Sequence, residues 1–349
     1  MDGLYLREKK PMSIRYRLLR ILFPALAACL VPVVPSSPGA EASERVRAER
    51  LLESAGVKGG LVVHVNAGDG RLTAALRAND AFLVHGLERN ARRVETARQH
   101  IRERGLYGPV SVETWRESEL PYAEGLVNAL VLSRGPLRVP SDELLRVLAP
   151  GGRAWVEEPA ADDDAPRDGM PVPGWRLIRK PWPSDIDQWT HFLHGPDNNA
   201  VARDARVGPP NALQWDAPPK FSRSHEYDTS LPAMVTAAGR VFYIVDRGPA
   251  GITDPRLEDA WFLVARDAFS GVRLWRRPVP NWGWKAWDPK RKGTDWSAQT
   301  SPRVRGTPGT LARRLVADGD RVFVTLGYRA PVSVIDAATG SMLRTCDRS

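Results

Sequence analysis

Cysteine is almost absent: the 349-residue chain holds two, Cys29 and Cys346. One distant pair builds neither a disulfide framework nor a cysteine metal site, so stability has to come from packed cores. Histidine is scarce too, six in all; His191 and His194 stand three apart and would suit a metal on a helix, but no third ligand is evident and no metal is expected. Also missing is an apolar run long enough to cross a membrane comfortably, because Pro24 and Pro32 break the stretch ILFPALAACLVPVV. There is no long basic run. The formal charge is +9 from 50 basic and 41 acidic residues, and Met1–Ala42 takes six of the former and three of the latter, leaving 44 against 38. That modest excess reads as an arginine-rich solvated surface and argues against a nucleic-acid partner.

Residues 1–42 carry a targeting signal. Arg15, Arg17 and Arg20 precede the broken apolar stretch, and Ala40-Glu41-Ala42 offers a small-x-small cleavage site. This is the layout of a secretory signal peptide and predicts an exported protein, periplasmic or at the cell surface. Met12 is an alternative start. Leu26-Ala27-Ala28-Cys29 resembles a bacterial lipobox and offers lipid-anchored Cys29 as the alternative, although the uninterrupted LVPVV that follows favours a plain leader.

The length allows two domains, each with its own core. A helix is expected over Ser43–Ala55, with Ser43 as cap and Gly56 as stop. Strands are expected at Leu61–Val65, Phe82–Gly86, Val110–Thr114, Ala129–Ser133, Arg153–Glu157 and Trp175–Lys180. Helices fall between them, at Arg71–Arg77, Ala91–Glu103 and Asp142–Leu148. Strands alternating with helices predict an α/β Rossmann-like domain with a parallel sheet over residues 43–183. Residues 158–174, EPAADDDAPRDGMPVPG, read as an exposed connector.

From residue 184 onward the helical period disappears and short β-like runs take over, predicting an all-β part. Gly239-Arg240-Val241-Phe242-Tyr243-Ile244 is echoed by Gly319-Asp320-Arg321-Val322-Phe323-Val324. Each leads through a strand to a similar turn, Asp267-Ala268-Phe269-Ser270-Gly271 and Asp336-Ala337-Ala338-Thr339-Gly340, and then to a further strand. An aspartate followed by Ser/Thr-Gly suits a tight hairpin, and the repeated strand–loop–strand–turn–strand unit is the mark of propeller blades.

One segment has the layout of a small-molecule site. Residues 61–88 run strand, glycine turn, helix, strand, with Glu88 at the tip of the second strand, where such units set an acid against ribose hydroxyls. The plainer alternatives are that Gly68 and Gly70 serve only the turn and that Glu88 caps the next helix. His64, on a buried strand, reads as a hydrogen-bonded core residue rather than a catalyst.

Several motifs carry a resemblance. Asn66-Ala67-Gly68-Asp69-Gly70, Glu88, Glu119-Leu120-Pro121-Tyr122 and Leu148-Ala149-Pro150-Gly151-Gly152 together resemble the class I S-adenosylmethionine-dependent methyltransferases, over roughly residues 44–180. The resemblance implies that cofactor, with Asn66, Gly68, Gly70 and Glu88 around it and the backbone at Glu117-Ser118 beside adenine. Departures are visible. The family's acid before the glycine turn is His64, its first glycine is Asn66, the acid opening the fourth strand is Asn128, and Arg116 stands where a carboxylate usually meets adenine. Losing a charge-assisted hydrogen bond costs ~1.5–3 kcal/mol, so two losses weaken binding by about a hundredfold. Ser133-Arg134-Gly135-Pro136 does not match the family's amino-methylation motif, and no catalytic residue is nominated.

Over roughly residues 185–349, Trp189, Asp197-Asn198-Asn199, Leu213-Gln214-Trp215 and the two Asp-Ala turns resemble the quinoprotein-type (PQQ-like) β-propeller. Adjacent cysteines able to cover a quinone are missing, so bound PQQ is not expected. Trp261, Trp275, Trp282, Trp284, Trp287 and Trp296 are dense enough for a ring-stacking face, but packing explains Trp261 and Trp275, and Trp282–Trp296 would decorate an insertion. Asp197-Asn198-Asn199 could hold calcium or simply form a turn. Two blades can be traced before Ser349 where closed propellers have about four to eight, so a fragment of a longer protein, or completion by another chain, is expected.

The sequence thus predicts an exported two-module protein: a weakened methyltransferase-like scaffold and an incomplete propeller that binds a protein or polymer partner. An active S-adenosylmethionine-dependent methyltransferase is the rival reading, and part of a quinone-dependent dehydrogenase a third.

Overall fold

A computed structural model of the chain describes residues 38–158, 172–206, 208, 212–221, 230–250, 260–282, 312–327 and 330–347. Most of the expected leader, Cys29, most of the connector, and Trp284, Trp287 and Trp296 lie outside the described residues. No helix among those described is long and apolar enough to cross a membrane.

The first module opens with α1 (Pro38–Ala55), which begins earlier than expected and runs through Ala40-Glu41-Ala42. Ala48, Leu51, Leu52 and Ala55 are buried, a spacing that makes one helix face apolar and presses it on the sheet. The sheet consists of β1 (Gly60–Val65), β2 (Phe82–Glu88), β3 (Val110–Thr114), β4 (Val127–Leu132), β5 (Leu148–Glu157) and β6 (Trp175–Arg179), in the order β3-β2-β1-β4-β5-β6. The strands pair in parallel except β6, which runs antiparallel to β5 at the edge. Every residue of β1 is buried, as expected for a central strand covered on both faces. Three shorter elements cover the faces: α2 (Arg71–Ala75), α3 (Ala91–Glu103) and α4 (Ser141–Val147). Asn90 caps α3, its side chain accepting from the amides of Arg92 and Arg93.

The second module is two four-stranded antiparallel meanders. One is β7 (Ala233–Ala237), β8 (Arg240–Asp246), β9 (Trp261–Asp267) and β10 (Arg273–Pro278); the other is β11 (Leu315–Asp318), β12 (Arg321–Thr325), β13 (Val332–Asp336) and β14 (Met342–Cys346). Phe242, Ile244, Leu263, Ala265 and Trp275 of the first share one core with Leu315, Ala317, Val322, Val324 and Ile335 of the second. The segment at Trp189 and Thr190 ties the innermost strands together, their carbonyls accepting from Thr236 N at 2.7 Å and Ala317 N at 3.0 Å. No third such sheet and no closed ring occurs among the described residues.

The two modules touch. Asn128, at the amino end of β4, donates to Asp267 of the first meander's turn at 2.7 Å, and Trp182 packs edge-on to Phe269 with ring centroids 5.9 Å apart. A crevice of about 130 Å3 remains between them, lined by Lys58, Gly151, Trp182, Arg240 and Asp267 among others.

Two expectations need correction, and the histidine pair takes a definite place. Each β unit has four strands, not three: β7 and β11 are apolar at nearly every position, so no alternation marks them. Trp282 does not decorate an insertion but is 1% exposed in the shared core, because the chain after β10 turns back between the sheets. His191 and His194 are not on a helix; they face each other across a β-bridge, His194 held by Asp187 at 2.7 Å and His191 by the Thr190 hydroxyl at 2.8 Å. Among the described residues no group of three metal-capable side chains forms.

Candidate functional site

In a sheet of this order the chain reverses direction between β1 and β4, and ligands of such folds bind beyond the carboxyl ends of the strands at that point. The sequence-nominated residues Asn66, Gly68, Gly70 and Glu88 do converge there. The turn after β1 is left-handed at Asn66 (φ 60°), Gly68 (φ 60°) and Gly70 (φ 80°). Gly70 is required twice over, since a Cβ there would also lie 2.7 Å from the Cβ of Ala97 on α3.

Glu88 ends β2 as expected, but both oxygens are engaged by the protein. Oε2 accepts from Gly68 N and Oε1 from Asn90 N, each at 2.9 Å. The side chain is 1% exposed. It therefore pins the glycine turn to the start of α3, with the contacts of a cap at the expected strand-tip position.

Asn66 fills the space that a glycine would leave open. Its Nδ2 donates to the carbonyls of Ser133 at 2.8 Å and Leu137 at 3.2 Å, while its Oδ1 accepts from Leu137 N at 3.0 Å. Three bonds thus lace the tip of β1 to the loop after β4. That loop passes so close that a Cβ on Gly135 would collide with the Asn66 side chain. Asn66 itself is 6% exposed.

Beneath it lies His64, on β1. Its Nδ1 meets the Thr73 hydroxyl at 2.7 Å and its Nε2 the Ser133 hydroxyl at 2.9 Å. Burial pushes its pKa down to about 3, so the ring is neutral, one nitrogen donating and the other accepting. A neutral ring clamped by two hydroxyls and closed to water bridges α2 and the β4 loop; it is not placed to exchange protons with a substrate. Thr73, Ser133 and Leu137 were not nominated from sequence; the glycine at 135, where a loop must come close, was the available signal.

Glu117 and Ser118 lie on an exposed loop after β3, beside Arg116, which is also exposed. Trp115 braces that loop by donating its indole N–H to the Glu119 carbonyl at 2.9 Å. Asn128 is not at the site at all. It sits at the opposite end of the sheet, roughly 16 Å away by the ~3.3 Å rise per strand residue, accepting from Leu61 N at 2.8 Å and donating to Asp267. The expected loss of a cofactor carboxylate there is therefore withdrawn, since a β4 residue at the amino end faces the second module.

At the carboxyl ends of β1 and β2 the Asn66 side chain is thus bonded to the loop after β4, His64 is buried and neutral, and Glu88 holds two backbone amides.

No protein-family model matches the chain. Methyltransferase GfsG of Streptomyces halstedii is 34% identical over 134 residues, which cover 36% of this chain and 47% of that protein. The chain thus spans about half the length of the curated relative it matches. Among solved structures, geranyl diphosphate C-methyltransferase of Streptomyces coelicolor A3(2) has 20% identity and a TM-score of 0.29, covering 35% of this chain and 49% of that one. The cyclase SpnF has 26% identity and a TM-score of 0.30, covering 35% and 49%. The sheet order, the glycine turn and the likeness to GfsG agree, and the described residues between 38 and 179 form a methyltransferase-like domain of Rossmann-like fold.

Proposed function

We propose that this is an exported two-module protein in which the methyltransferase-like domain is a scaffold and the β module binds a protein or polymer partner. The observation that carries the reading is Asn66, whose side chain makes three bonds across the β1–β4 crevice where the cofactor's amino-acid end would lie. Neutral His64, and Glu88 buried and holding two backbone amides, support it from either side.

The blade-like reading of the β module rests on a repeated contact. Trp275 donates its indole N–H to the Ala337 carbonyl at 2.9 Å, and its ring lies 2.7 Å from a Cβ placed on Gly340. Trp215 does the same one unit earlier, on the Ala268 carbonyl at 3.0 Å and against Gly271 at 2.5 Å. Aspartate in each turn accepts from the backbone and hydroxyl of Ser270 or Thr339. A quinoprotein-type propeller built from such units accounts for both copies; PQQ itself has no support in this chain.

The rival reading is an active S-adenosylmethionine-dependent methyltransferase, favoured by the 34% identity to GfsG and by the retained Gly68, Gly70 and Glu88. In that reading the adenine would lie against the backbone at Glu117-Ser118. Calorimetric titration of the full chain with S-adenosylmethionine separates the two. Binding tighter than about 10 µM, abolished by Glu88→Ala, would establish the enzyme reading and end the scaffold one.

A further inference from the structure

On the face of the first meander turned away from the second lies an apolar groove of about 320 Å3. Tyr243, Trp215, Pro219, Leu231 and half-exposed Met234 are among the residues that line it. At its end lies Arg266, 8% exposed. The guanidinium donates Nε–H to the Tyr243 hydroxyl at 2.8 Å and Nη1–H to the Gly271 carbonyl at 2.7 Å. No carboxylate pairs with it among the described residues, and the adjacent Asp267 turns its oxygens to Phe269, Ser270 and Asn128. A buried cation with two neutral acceptors and no counter-charge is expensive, and an anion arriving from outside would offset that cost.

The repeat shows that packing does not require this residue. Arg266 pairs with Val241 in the register in which Ile335 pairs with Val322 in the second meander. Ile335 is fully buried and closes the contact between the two sheets. A third sheet seated on the groove in the same manner, as closure of a propeller would require, would call for an aliphatic residue at 266 and leave the guanidinium stranded, so on this side the β module is taken as open to a ligand.

We propose that the groove binds a small amphiphilic carboxylic acid. Its apolar body lies along Trp215, Pro219 and Met234, and its carboxylate accepts from the remaining Arg266 donors. The Tyr243 hydroxyl adds a further donor, since its oxygen accepts from Arg266 and its proton is left to give. This site is on the β module and is independent of the state of the crevice at Asn66.

The test uses the full chain with two probes of equal length, decanoate and 1-decanol, followed by tryptophan fluorescence and calorimetry. Expected is decanoate bound at least tenfold more tightly than the alcohol. In Arg266→Ile, which copies the residue of the second meander, the acid falls to the affinity of the alcohol and the alcohol is unchanged. Equal affinities in the unsubstituted chain, binding of neither probe, or an acid-insensitive dimer whose groove is filled by a second copy would each overturn the proposal. The acid-to-alcohol ratio of the unsubstituted chain decides the matter even if the variant does not fold.

Discussion

The amide of Asn128 donates to the carboxylate of Asp267 at 2.7 Å across the boundary between the modules, while its own oxygen accepts from Leu61 N at 2.8 Å. The amide serves both groups at once, its nitrogen donating and its oxygen accepting. Burial raises the Asp267 pKa, against the pull of Ser270, Asn128 and Phe269, whereas its twin Asp336 ends below the usual range: burial raises it, but the Thr339 and Ala338 donors outweigh that. Asn128→Asp would set two carboxylates face to face and is expected to lower stability by about 2 kcal/mol or more at pH 8. A proton shared between the two acids restores the bond, so the loss should shrink at pH 5. Urea denaturation at both pH values checks this; an equal loss at each would show that charge is not the cause.

His64 gives a second pH dependence of known sign. Its pKa is depressed from 6.5 to about 3 by burial, so the unfolded chain binds its proton first as pH falls. The stability it contributes is present above pH 6.5 and drains away between there and pH 3, by up to ~1.4 kcal/mol per pH unit. His85 and His100 are also depressed by burial and add to the slope. Thermal denaturation from pH 7 to pH 4 should show a shallower fall for His64→Gln than for the unsubstituted chain, with His85, His100 and the depressed carboxylates of Glu143, Asp187 and Asp336 contributing to what remains.

Ala238 is in the left-handed region at φ 47°, in the turn between β7 and β8 where Gly239 follows at φ 73°. An alanine pays about 1–2 kcal/mol for that conformation. Ala238→Gly keeps the amide that donates to Gln188 Oε1 and removes the clash, so a gain of about 1 kcal/mol in urea denaturation is expected.

Trp275 connects the meanders through Ala337 and Gly340 and is 9% exposed. Trp275→Ala should cost about 3–5 kcal/mol, in the range for emptying a core of a large aromatic. Calorimetric unfolding should show the β module melting first in this variant; an unchanged profile would mean that the sheets do not depend on that contact.

The first module was largely legible in the sequence because its strands are apolar runs and its helices amphipathic. Val110–Thr114 and Ala91–Glu103 agree with the expected bounds. At the site, Asn66, Gly68, Gly70 and Glu88 were identifiable as turn and strand-tip residues, but their commitments were not. The Asn66 contacts come from 67 and 71 residues away, and side-chain bonds of that separation leave no local pattern. Asn128 was misplaced although opening the fourth strand already puts it at the amino end, away from the carboxyl ends where such sheets hold ligands. β7 and β11 escaped notice because Ala-Met-Val-Thr-Ala and Leu-Val-Ala-Asp are apolar at nearly every position, so residue type does not separate the buried face from the exposed one.

The decisive measurement is the affinity of the full chain for S-adenosylmethionine before and after Asn66→Gly. Removing the side chain that occupies the β1–β4 crevice, at a backbone φ of 60° that glycine accepts freely, should raise affinity at least tenfold from a value weaker than about 100 µM. Micromolar binding by the unsubstituted chain, unchanged or weakened in the glycine variant, would contradict the view that Asn66 closes the pocket.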